Sequence, residues 1–238
     1  MTPPNVLAIV QARMSSTRLP GKVLKPLAGK PMLARQLERI ARARLVDKLV
    51  VATSAEASDD PIAVVCAGLG IACFRGSLAD VLGRFIGAAE AFGPPRHIVR
   101  LTGDCPLTDP AIVDAAIALH LANGVDYTSN GVQRTYPDGL DVEVMTFAAL
   151  ARAACEASEP FEREHVTPRL YRRTDLFSQQ PLLNPVDLAE LRWTVDNAKD
   201  FEFAEKVFQE LLPLNPDFGW REVLALVQEK PEIAAINS

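Results

Sequence analysis

The stretch VLAIVQARMSSTRLPGK, residues 6–22, joins a run of apolar residues to a loop of small and basic residues. The apolar run predicts a buried strand, and the serines and Gly21 of the loop let backbone N–H groups approach an anion. Four cationic side chains lie in or just after the loop: Arg13, Arg18, Lys22 and Lys25. Such groups donate charge-assisted hydrogen bonds to phosphate oxygens. The stretch therefore predicts a polyphosphate site at a strand end, with a solvated basic turn as the open alternative.

The composition suits one globular domain, because 48% of the 238 residues are hydrophobic. The net charge of -5 and the pI near 5.3 argue against nucleic acid as a general partner, so the basic loop is a local site in an acidic protein. No segment approaches about 18 consecutive apolar residues, and the first apolar run is too short for a signal peptide. We therefore expect a cytoplasmic protein that does not engage a membrane.

The four cysteines show neither a metal-binding nor a disulfide pattern. They form no CxxC pair and have no cluster of histidines nearby: Cys66, Cys73, Cys105 and Cys155. We therefore expect reduced thiols and no structural zinc.

Apolar runs alternate with helical patterns through the first half of the chain. Four strands are predicted, at residues 6–10, 48–53, 71–74 and 98–101. Helices are predicted at residues 32–44, 61–68 and 78–92, and a fourth begins at Pro110 with Asp109 as its N-cap. This alternation predicts an α/β fold with a mostly parallel sheet covered by helices. Ligands of such sheets bind beyond the carboxyl ends of the strands, where the basic loop lies.

After Tyr127 the alternation breaks down. A polar loop at residues 130–140 and an alternating segment at 141–146, read as an exposed strand, predict a small excursion from the main sheet over about residues 130–190. It is expected to hold a helix from Phe147, a helix at 161–171 and a strand at 177–182. Residues 192–195 are expected to return to the sheet, before helices at 199–212 and 220–228. Since the sequence contains no repeat or flexible linker, residues 1–238 are expected to form one domain.

Two acidic residues follow short apolar strands. Asp104 lies in TGDCPL directly after the fourth predicted strand, and Asp196 lies in TVDN after residues 192–195. Two carboxylates at one sheet edge can share Mg²⁺, which is usually held by one or two carboxylates together with substrate phosphates. Two structural alternatives stay open: Asp104 can organise an Asx-turn, and Asp196 can cap the following helix.

Six motifs give the chain a resemblance to a known family. In order they are QARMSSTRLPGK, FRGSLADVLGRF, TGDCPLTDP, GLDVEV, EREHVTP and WTVDNAKDFE. Together they resemble the sugar-activating cytidylyltransferases, which include CMP-Kdo, CMP-acylneuraminate and CMP-pseudaminate synthetases. The similarity is greatest to the branch known from spore coat polysaccharide biosynthesis, and it extends from about residue 6 to residue 211.

The resemblance implies a Rossmann-like nucleotidyltransferase fold with helices on both faces of the sheet. It also implies a reaction in which CTP and a sugar give a CMP-sugar and pyrophosphate, with Mg²⁺ as cofactor. The excursion would bind the sugar and form the contact of a homodimer, and the apolar residues near 140–150 suit either that contact or a core. Because the middle third departs from the Kdo and sialate enzymes, the identity of the sugar stays open.

The resemblance also assigns residues to the nucleotide and to the metal. The backbone at Ala12 and Arg13 should approach the base, Arg13 and Lys22 should hold the triphosphate, and Asp104 with Asp196 should bind Mg²⁺. Further nucleotide contacts are expected from three residues: Arg18, Arg75 and Ser77. Arg84 is a plausible contact, with solvation on a helix surface as the equal alternative.

The sugar residues are expected in the motifs of the excursion. The candidates are Tyr136, Asp138, Asp141, Glu143, Arg163, Glu164 and His165. Arg163 suits a sugar carboxylate by bidentate geometry. Glu143 and His165 can orient hydroxyl groups, with a structural role in the loop as the open alternative. His97 and His120 lie outside the matching motifs and receive no role.

The expected chemistry is in-line attack of a sugar hydroxyl on the α-phosphorus, with charge stabilised by the metal and the cationic loop. The general base stays undetermined. Two other functions stay open: a glycosyltransferase, although no convincing DxD motif lies at a strand end, and a non-catalytic nucleotide-binding module.

Overall fold

The first half of the chain builds four parallel strands and the helices between them. The computed structural model describes residues 5–237. The strands of this half are β1 Val6–Gln11, β4 Lys48–Ser54, β5 Ala72–Gly76 and β6 His97–Thr102, with a small hairpin of β2 Pro26–Leu27 and β3 Lys30–Pro31. The helices are α1 Met32–Ile40, α2 Asp60–Gly68, α3 Val81–Ala91 and α4 Pro110–Asn123. Asp109 caps α4 as predicted, because its Oδ1 accepts bonds from the backbone of Ala111 and Ile112.

The second half extends the same sheet and covers it. Its strands are β7 Tyr127–Ser129, β8 Glu143–Thr146 and β9 Gln179–Pro181. Its helices are α5 Phe147–Glu156, α6 Pro160–His165, α7 Pro168–Arg172, α8 Ala198–Leu211, α9 Trp220–Glu229 and α10 Pro231–Ala234. The seven strands of the main sheet follow the order β5-β4-β1-β6-β8-β7-β9. In this sheet β8 pairs antiparallel with β6 and with β7, and the other described pairs are parallel, so the predicted mostly parallel α/β sheet is confirmed.

Helices cover both faces of the sheet, as the fold prediction requires. Ala8 and Val10 of β1 join a core with α1, α4, α8 and α9, whereas Leu7 and Ile9 join a second core with α3 and α5. The period of two in a strand sends alternate side chains to opposite faces, so one apolar run supplies both cores.

Three expectations for the second half are wrong. The strand at 143–146 is not exposed and does not leave the sheet: it pairs with β6, and Val144 and Met145 are fully buried. Residues 192–195 form no strand, since only a single bridge joins Arg192 to Asp138. The helix expected at 161–171 is broken at Val166, whose φ is 71°, just ahead of Pro168. Pro168 has no backbone N–H, so it cannot form the hydrogen bond to Glu164 O that a continuous helix would require.

The apolar residues near 140–150 belong to the core rather than to a surface contact. Leu140, Val142 and Leu150 are fully buried. Within residues 5–237, no helix combines the length and the apolar character that crossing a membrane requires.

Candidate active site

Three chain segments meet at the carboxyl ends of β1 and β6 and enclose a cavity of about 440 Å³. They are the basic loop after β1, the turn after β6 that carries Asp104, and the segment that carries Asp196. The predicted residues on the cavity wall are Ala12, Arg13, Arg18, Lys22, Arg84, Asp104, Asp138, Asp141, Glu164, His165 and Asp196. The sequence-based expectation that these distant segments share one sheet edge is confirmed.

The basic loop is held in place from behind by Asp59. Its fully buried carboxylate accepts bonds from the backbone of Met14 at 2.7 Å and from the hydroxyls of Ser54 and Thr53 at 2.6 and 3.1 Å. Burial raises the pKa of Asp59, but these hydrogen bonds outweigh it and leave the pKa below its ordinary value. The loop closes where Gly21, at a φ of 69°, donates to Met14 O at 3.0 Å.

Gly103 brings the Asp104 turn against the end of β1. Its N–H donates to Gln11 O at 2.8 Å, and a Cβ at this position would lie 2.9 Å from the same oxygen. Only glycine allows this approach, so the residue before Asp104 fixes where the carboxylate stands relative to the basic loop.

Lys22 joins the two acidic residues, Asp104 and Asp196. Its ammonium lies 3.1 Å from Asp104 Oδ2 and 3.1 Å from Asp196 Oδ1, and it donates to Val195 O at 2.7 Å. Lys22 is 7% exposed, so these three oxygens converge on one largely buried cation. The two carboxylates therefore face a common point, although they lie far apart in the sequence.

Asp196 is surrounded by cations. Arg18 Nη2 lies 2.9 Å from Oδ1, and Arg192 Nη2 donates to Oδ2 at 2.7 Å. Burial raises the pKa of Asp196, but the bonds from Lys22 and Arg192 more than offset it and hold the pKa below its ordinary value. Helix α8 is capped instead by Asn197, whose Oδ1 accepts from two backbone groups. The alternative in which Asp196 is the cap is therefore wrong.

The donor set at this point fits Mg²⁺. Two carboxylate oxygens and the carbonyl of Val195 already surround a cation, the Lys22 ammonium, and hard oxygen donors are the ligands that Mg²⁺ prefers. Asp104 accepts no backbone N–H bond among residues 5–237, so no Asx-turn occupies its carboxylate there. No group of three or more His, Cys, Asp or Glu side chains suited to a metal occurs in that range. A metal held here would depend on substrate phosphates and water for its other ligands.

A second cavity of about 460 Å³ adjoins the first. Its wall combines aromatic and hydrogen-bonding side chains, among them Tyr127, Ser129, Arg134, Glu143, Phe161, Thr167 and Tyr171. Four residues line both cavities: Arg100, Thr102, Asp141 and His165. The two cavities therefore form one cleft with a shared boundary.

Glu143 is fixed at the floor of the second cavity by three neighbours. It forms an ion pair with Arg100 and accepts hydrogen bonds from the hydroxyls of Tyr127 and Thr167, the latter at 2.6 Å. Arg100 also donates to Gln11 at 3.1 Å. The predicted sugar residue Glu143 thus lines the cleft, and its partners hold it in one orientation.

Four predicted site residues lie away from the cleft. Arg75 pairs with Asp60 and donates to Ser54 O, while Ser77 accepts from the backbone of Asp80. Neither is on the wall of either cavity.

The other two, Arg163 and Tyr136, contact other parts of the protein instead of the cleft. Arg163 pairs with Asp80, the N-cap of α3, and donates to Ala154 O at 2.9 Å, so it joins α6 to α3 rather than facing the cavity. Tyr136 is buried with its ring against Trp220 at 5.7 Å between centroids.

Several arginines line the cleft or pair with its acidic residues, and the sequence did not reveal their part in the site. Arg192 pairs with Asp196 and Asp138, and Arg134 pairs with Asp138 and Asp141. Arg84, for which a solvated helix surface was the equal alternative, is 3% exposed and lines the first cavity. Arg100 could have been identified from the sequence, because it is a charged residue inside the apolar strand HIVRLT. A charge buried in a strand needs a partner, which indicates a polar site nearby.

Comparison with known proteins adds four findings. A family model described as cytidylyltransferase matches residues 7–213. The spore coat polysaccharide biosynthesis protein SpsF of Bacillus subtilis is 35% identical over 241 residues, which are 97% of this chain and 97% of that protein.

A 3-deoxy-manno-octulosonate cytidylyltransferase of Geobacter sulfurreducens is 45% identical over 116 residues, covering 48% of this chain and 44% of that protein. The solved structure of a cytidylyltransferase from Leptospira borgpetersenii matches with a TM-score of 0.92 and 33% identity, over 97% of both chains. The sequence resemblance and the fold are thus supported along nearly the whole chain.

Proposed function

The chain belongs to the cytidylyltransferase family and is a nucleotidyltransferase, and we propose that it transfers CMP from CTP to a sugar and releases pyrophosphate. The acceptor in this proposal is a keto-acid sugar, of the acylneuraminate type or a relative, used for cell-surface polysaccharide. The observation that carries the proposal is the single cleft, in which a cationic loop and the carboxylates of Asp104 and Asp196 adjoin a cavity lined by charged, hydroxyl and aromatic groups.

The first cavity would take the nucleotide. The backbone at Ala12 would approach the base, and Arg13, Arg18 and Lys22 would hold the phosphates. Arg18 and Lys22 now pair with Asp196, so an arriving triphosphate would draw both cations away from that carboxylate. At an effective dielectric near 20, each charge about 4 Å from a phosphate contributes roughly 4 kcal/mol before desolvation.

Asp104 and Asp196 are the residues that would hold Mg²⁺. When bound, Mg²⁺ would neutralise part of the charge on the phosphates and on the departing pyrophosphate. The rest of the catalysis would come from positioning by the chain itself, since phosphoryl-type transfer needs no covalent intermediate.

The second cavity would take the sugar. Arg134 suits the sugar carboxylate better than Arg163 does, because it lines this cavity and its Nη1 is anchored by Asp138 and Asp141. Among the residues that the structure describes, none accepts a hydrogen bond from its Nε or Nη2, so these two atoms can form a bidentate pair. The rings of Phe161 and Tyr171 offer apolar faces to the sugar ring.

A homodimer and a cytoplasmic location are the remaining parts of the proposal. Exposed apolar side chains lie beside the second cavity and after β9: Val132, Phe161, Leu183 and Val186. Sedimentation equilibrium would measure the mass in solution, and a monomer at micromolar concentration would contradict the dimer.

The test of the function is pyrophosphate release. The protein is incubated with Mg²⁺, each of the four ribonucleoside triphosphates, and a panel of keto-acid and amino sugars. We expect release with CTP and a keto-acid sugar only. Binding without release would favour a nucleotide-binding module, and transfer from a nucleotide sugar to an acceptor would favour a glycosyltransferase.

The matched variant is Asp196→Asn. It removes a charged ligand of the proposed metal but retains a side chain of the same shape for Arg18 and Arg192. We expect Mg²⁺-dependent turnover to be abolished while the circular dichroism spectrum stays that of the native protein. Near-normal pyrophosphate release would remove Asp196 from the site.

A further inference from the structure

The boundary between the two cavities is where the sugar hydroxyl must meet the α-phosphorus in the proposed function. Four residues line both cavities, and only Asp141 and His165 among them have side chains of the kinds that serve as general bases. Arg100 is already committed to Glu143 and Gln11. The choice of a proton acceptor at this boundary is therefore between Asp141 and His165.

Asp141 is held in one orientation with acceptor capacity to spare. Arg134 Nη1 lies 2.8 Å from Oδ1, and the backbone of Gly139 donates to Oδ2 at 3.1 Å. An ionised carboxylate offers about four lone-pair sites, so each oxygen of Asp141 keeps one of them. A Cβ at position 131 would lie 3.1 Å from Oδ1, so Gly131 leaves the approach to that oxygen open.

His165 lacks comparable support. It is exposed at the last position of α6, where its ring packs on Phe161 at 4.3 Å between centroids. Neither ring nitrogen has a hydrogen-bond partner in the described part of the chain, residues 5–237, so the imidazole is not oriented toward a reacting atom. A general base needs such orientation in order to accept a proton as the bond forms.

We propose that Asp141 is the general base of the cytidylyl transfer. The sugar hydroxyl gives its proton to the Asp141 carboxylate while its oxygen forms a bond to the α-phosphorus. The bond from the α-phosphorus to the bridging oxygen of the β-phosphate breaks, and the electron pair leaves with pyrophosphate. Asp141 then returns its proton to water. This role rests on the proposed function.

The position of Arg134 fits this role. In a 2-keto-acid sugar the anomeric hydroxyl is on the carbon next to the carboxylate. A carboxylate bound by Arg134 Nε and Nη2 would bring that hydroxyl beside the carboxylate that Nη1 already holds. One guanidinium would thus orient both the nucleophile and its base.

The charges around Asp141 suit a base that works near neutral pH. Burial raises its pKa to about 6, against the opposing effects of Arg134 and the Gly139 N–H, and Asp138 and Glu143 add to the rise. Other titratable or charged side chains on the walls of the two cavities that Asp141 lines include Arg100, Asp104, Cys105, Tyr127 and His165. A carboxylate with this pKa is ionised at pH 7 and is still basic enough to accept a proton in the transition state.

The test compares kcat of the wild type with that of Asp141→Asn from pH 5 to pH 9, at saturating CTP, Mg²⁺ and the keto-acid sugar that the release assay identifies. Titration of the bound nucleotide is common to both proteins and cancels in the ratio of their rates. We expect the ratio to rise with pH up to about 6 and to level off at 100-fold or more, roughly the contribution of general base catalysis. CTP affinity, measured by calorimetry, should change little.

Several outcomes would overturn the proposal. A ratio that does not vary with pH would give Asp141 a structural role only, and a pH-dependent ratio for His165→Gln but not for Asp141→Asn would make His165 the base. Should Asp141→Asn not fold, Asp141→Glu replaces it, and an unchanged kcat for that variant would contradict the role. A wild type without release on any sugar would instead contradict the proposed function and with it this inference.

Discussion

Lys22 lies between Asp104 and Asp196, where the proposed metal site is. Its ammonium lies equally close to Asp104 and Asp196, so in the absence of nucleotide the chain supplies its own cation where we propose Mg²⁺ to bind. Metal binding would then require Lys22 to move, and a triphosphate gives the ammonium another partner. We infer that metal and nucleotide enter this site together.

The variant Lys22→Met should separate the two ligands. Without Lys22 the carboxylates of Asp104 and Asp196 lose their shared cation, and Val195 O loses its donor, which costs about 1–3 kcal/mol of stability. In the absence of nucleotide, Mg²⁺ or Mn²⁺ should therefore raise the melting temperature of Lys22→Met more than that of the wild type. Thermal unfolding with and without the metal measures this.

Lys30→Met is the matched control, because Lys30 also pairs with a carboxylate, Glu38, but lies on the surface. Its metal response should equal that of the wild type. An equal response of Lys22→Met and the wild type would mean that Lys22 does not compete with a metal at these carboxylates.

At the scale of the element, the segment 136–141 ties the two halves of the cleft together. Asp138 donates its backbone N–H to Leu191 O at 2.8 Å and accepts at its own carbonyl from Trp193 at 2.6 Å. Gly139 has a φ of 108°, and a Cβ there would lie 2.4 Å from the backbone nitrogen of Thr194. The close approach aligns Asp141 in the second cavity with the segment that carries Asp196.

Gly139→Ala should therefore be strongly destabilising, because it adds backbone strain and overlap with a neighbouring main chain. Together these should cost at least about 3 kcal/mol. Gly124→Ala is the control, since Gly124 has a φ of 60° but no described atom within 4 Å of the place that a Cβ would take, and it should cost only about 1–2 kcal/mol. Urea unfolding of the two variants measures the difference, and equal losses would show that the contact with Thr194 does not matter.

The sequence predicts well those elements whose pattern is long enough to identify them. The five apolar residues of β1 and the loop after it predicted both the strand and the cationic wall of the cleft. The strand β7 has only three residues, and its place is fixed by pairing with β8 and β9, which are distant in sequence. A local sequence pattern does not reveal such pairing. The sequence therefore predicted an excursion from the sheet, whereas β8, β7 and β9 extend the sheet.

The same distinction between local pattern and distant contacts applies to the site residues. Asp104 was predictable because it follows the buried strand β6, at the sheet edge where the basic loop also lies. Asp196 was expected there at the end of a strand that does not form, and a backbone hydrogen bond from Val195 to Asp104 O at 2.8 Å holds its segment in place instead. Arg163 was assigned to the sugar because arginine suits a carboxylate, but Asp80 supplies that carboxylate within the protein. The sequence shows which ligands a side chain can bind, but the group that it contacts in the folded protein depends on packing.

At the scale of the whole molecule, two histidines without a place in the cleft join the two halves of the sheet. His97 Nδ1 lies 3.1 Å from His120 Nε2, and His120 Nδ1 lies 3.1 Å from the hydroxyl of Thr128. These residues belong to β6, α4 and β7, so the chain of bonds spans the junction between the parallel strands and the later ones. Protonation of His120 would place a charge inside this junction.

The stability of the protein should consequently fall as the pH decreases through the range in which His120 titrates. Burial, reinforced by His97, lowers the pKa of His120 to about 4 from an ordinary value of 6.5. The unfolded chain therefore binds more protons between these values, so this contribution is complete above pH 6.5 and is lost toward pH 4. From pH 7.5 to pH 5 the loss should be about 2 kcal/mol.

His120→Gln isolates this contribution when its free energy of unfolding in urea is measured at both pH values. Asp141 has the opposite effect on stability, because its pKa is raised to about 6 and the folded protein therefore gains a proton before the unfolded chain does as the pH falls. The pH dependence of wild-type stability thus combines both contributions. The carboxylates with lowered pKa, such as Asp59, lose their contribution only below about pH 4 and do not interfere. His120→Gln should lose about 2 kcal/mol less than the wild type over this interval, and the exposed His165→Gln should lose as much as the wild type. If His120→Gln and the wild type lose the same amount, the buried His120 does not set the acid stability of the fold.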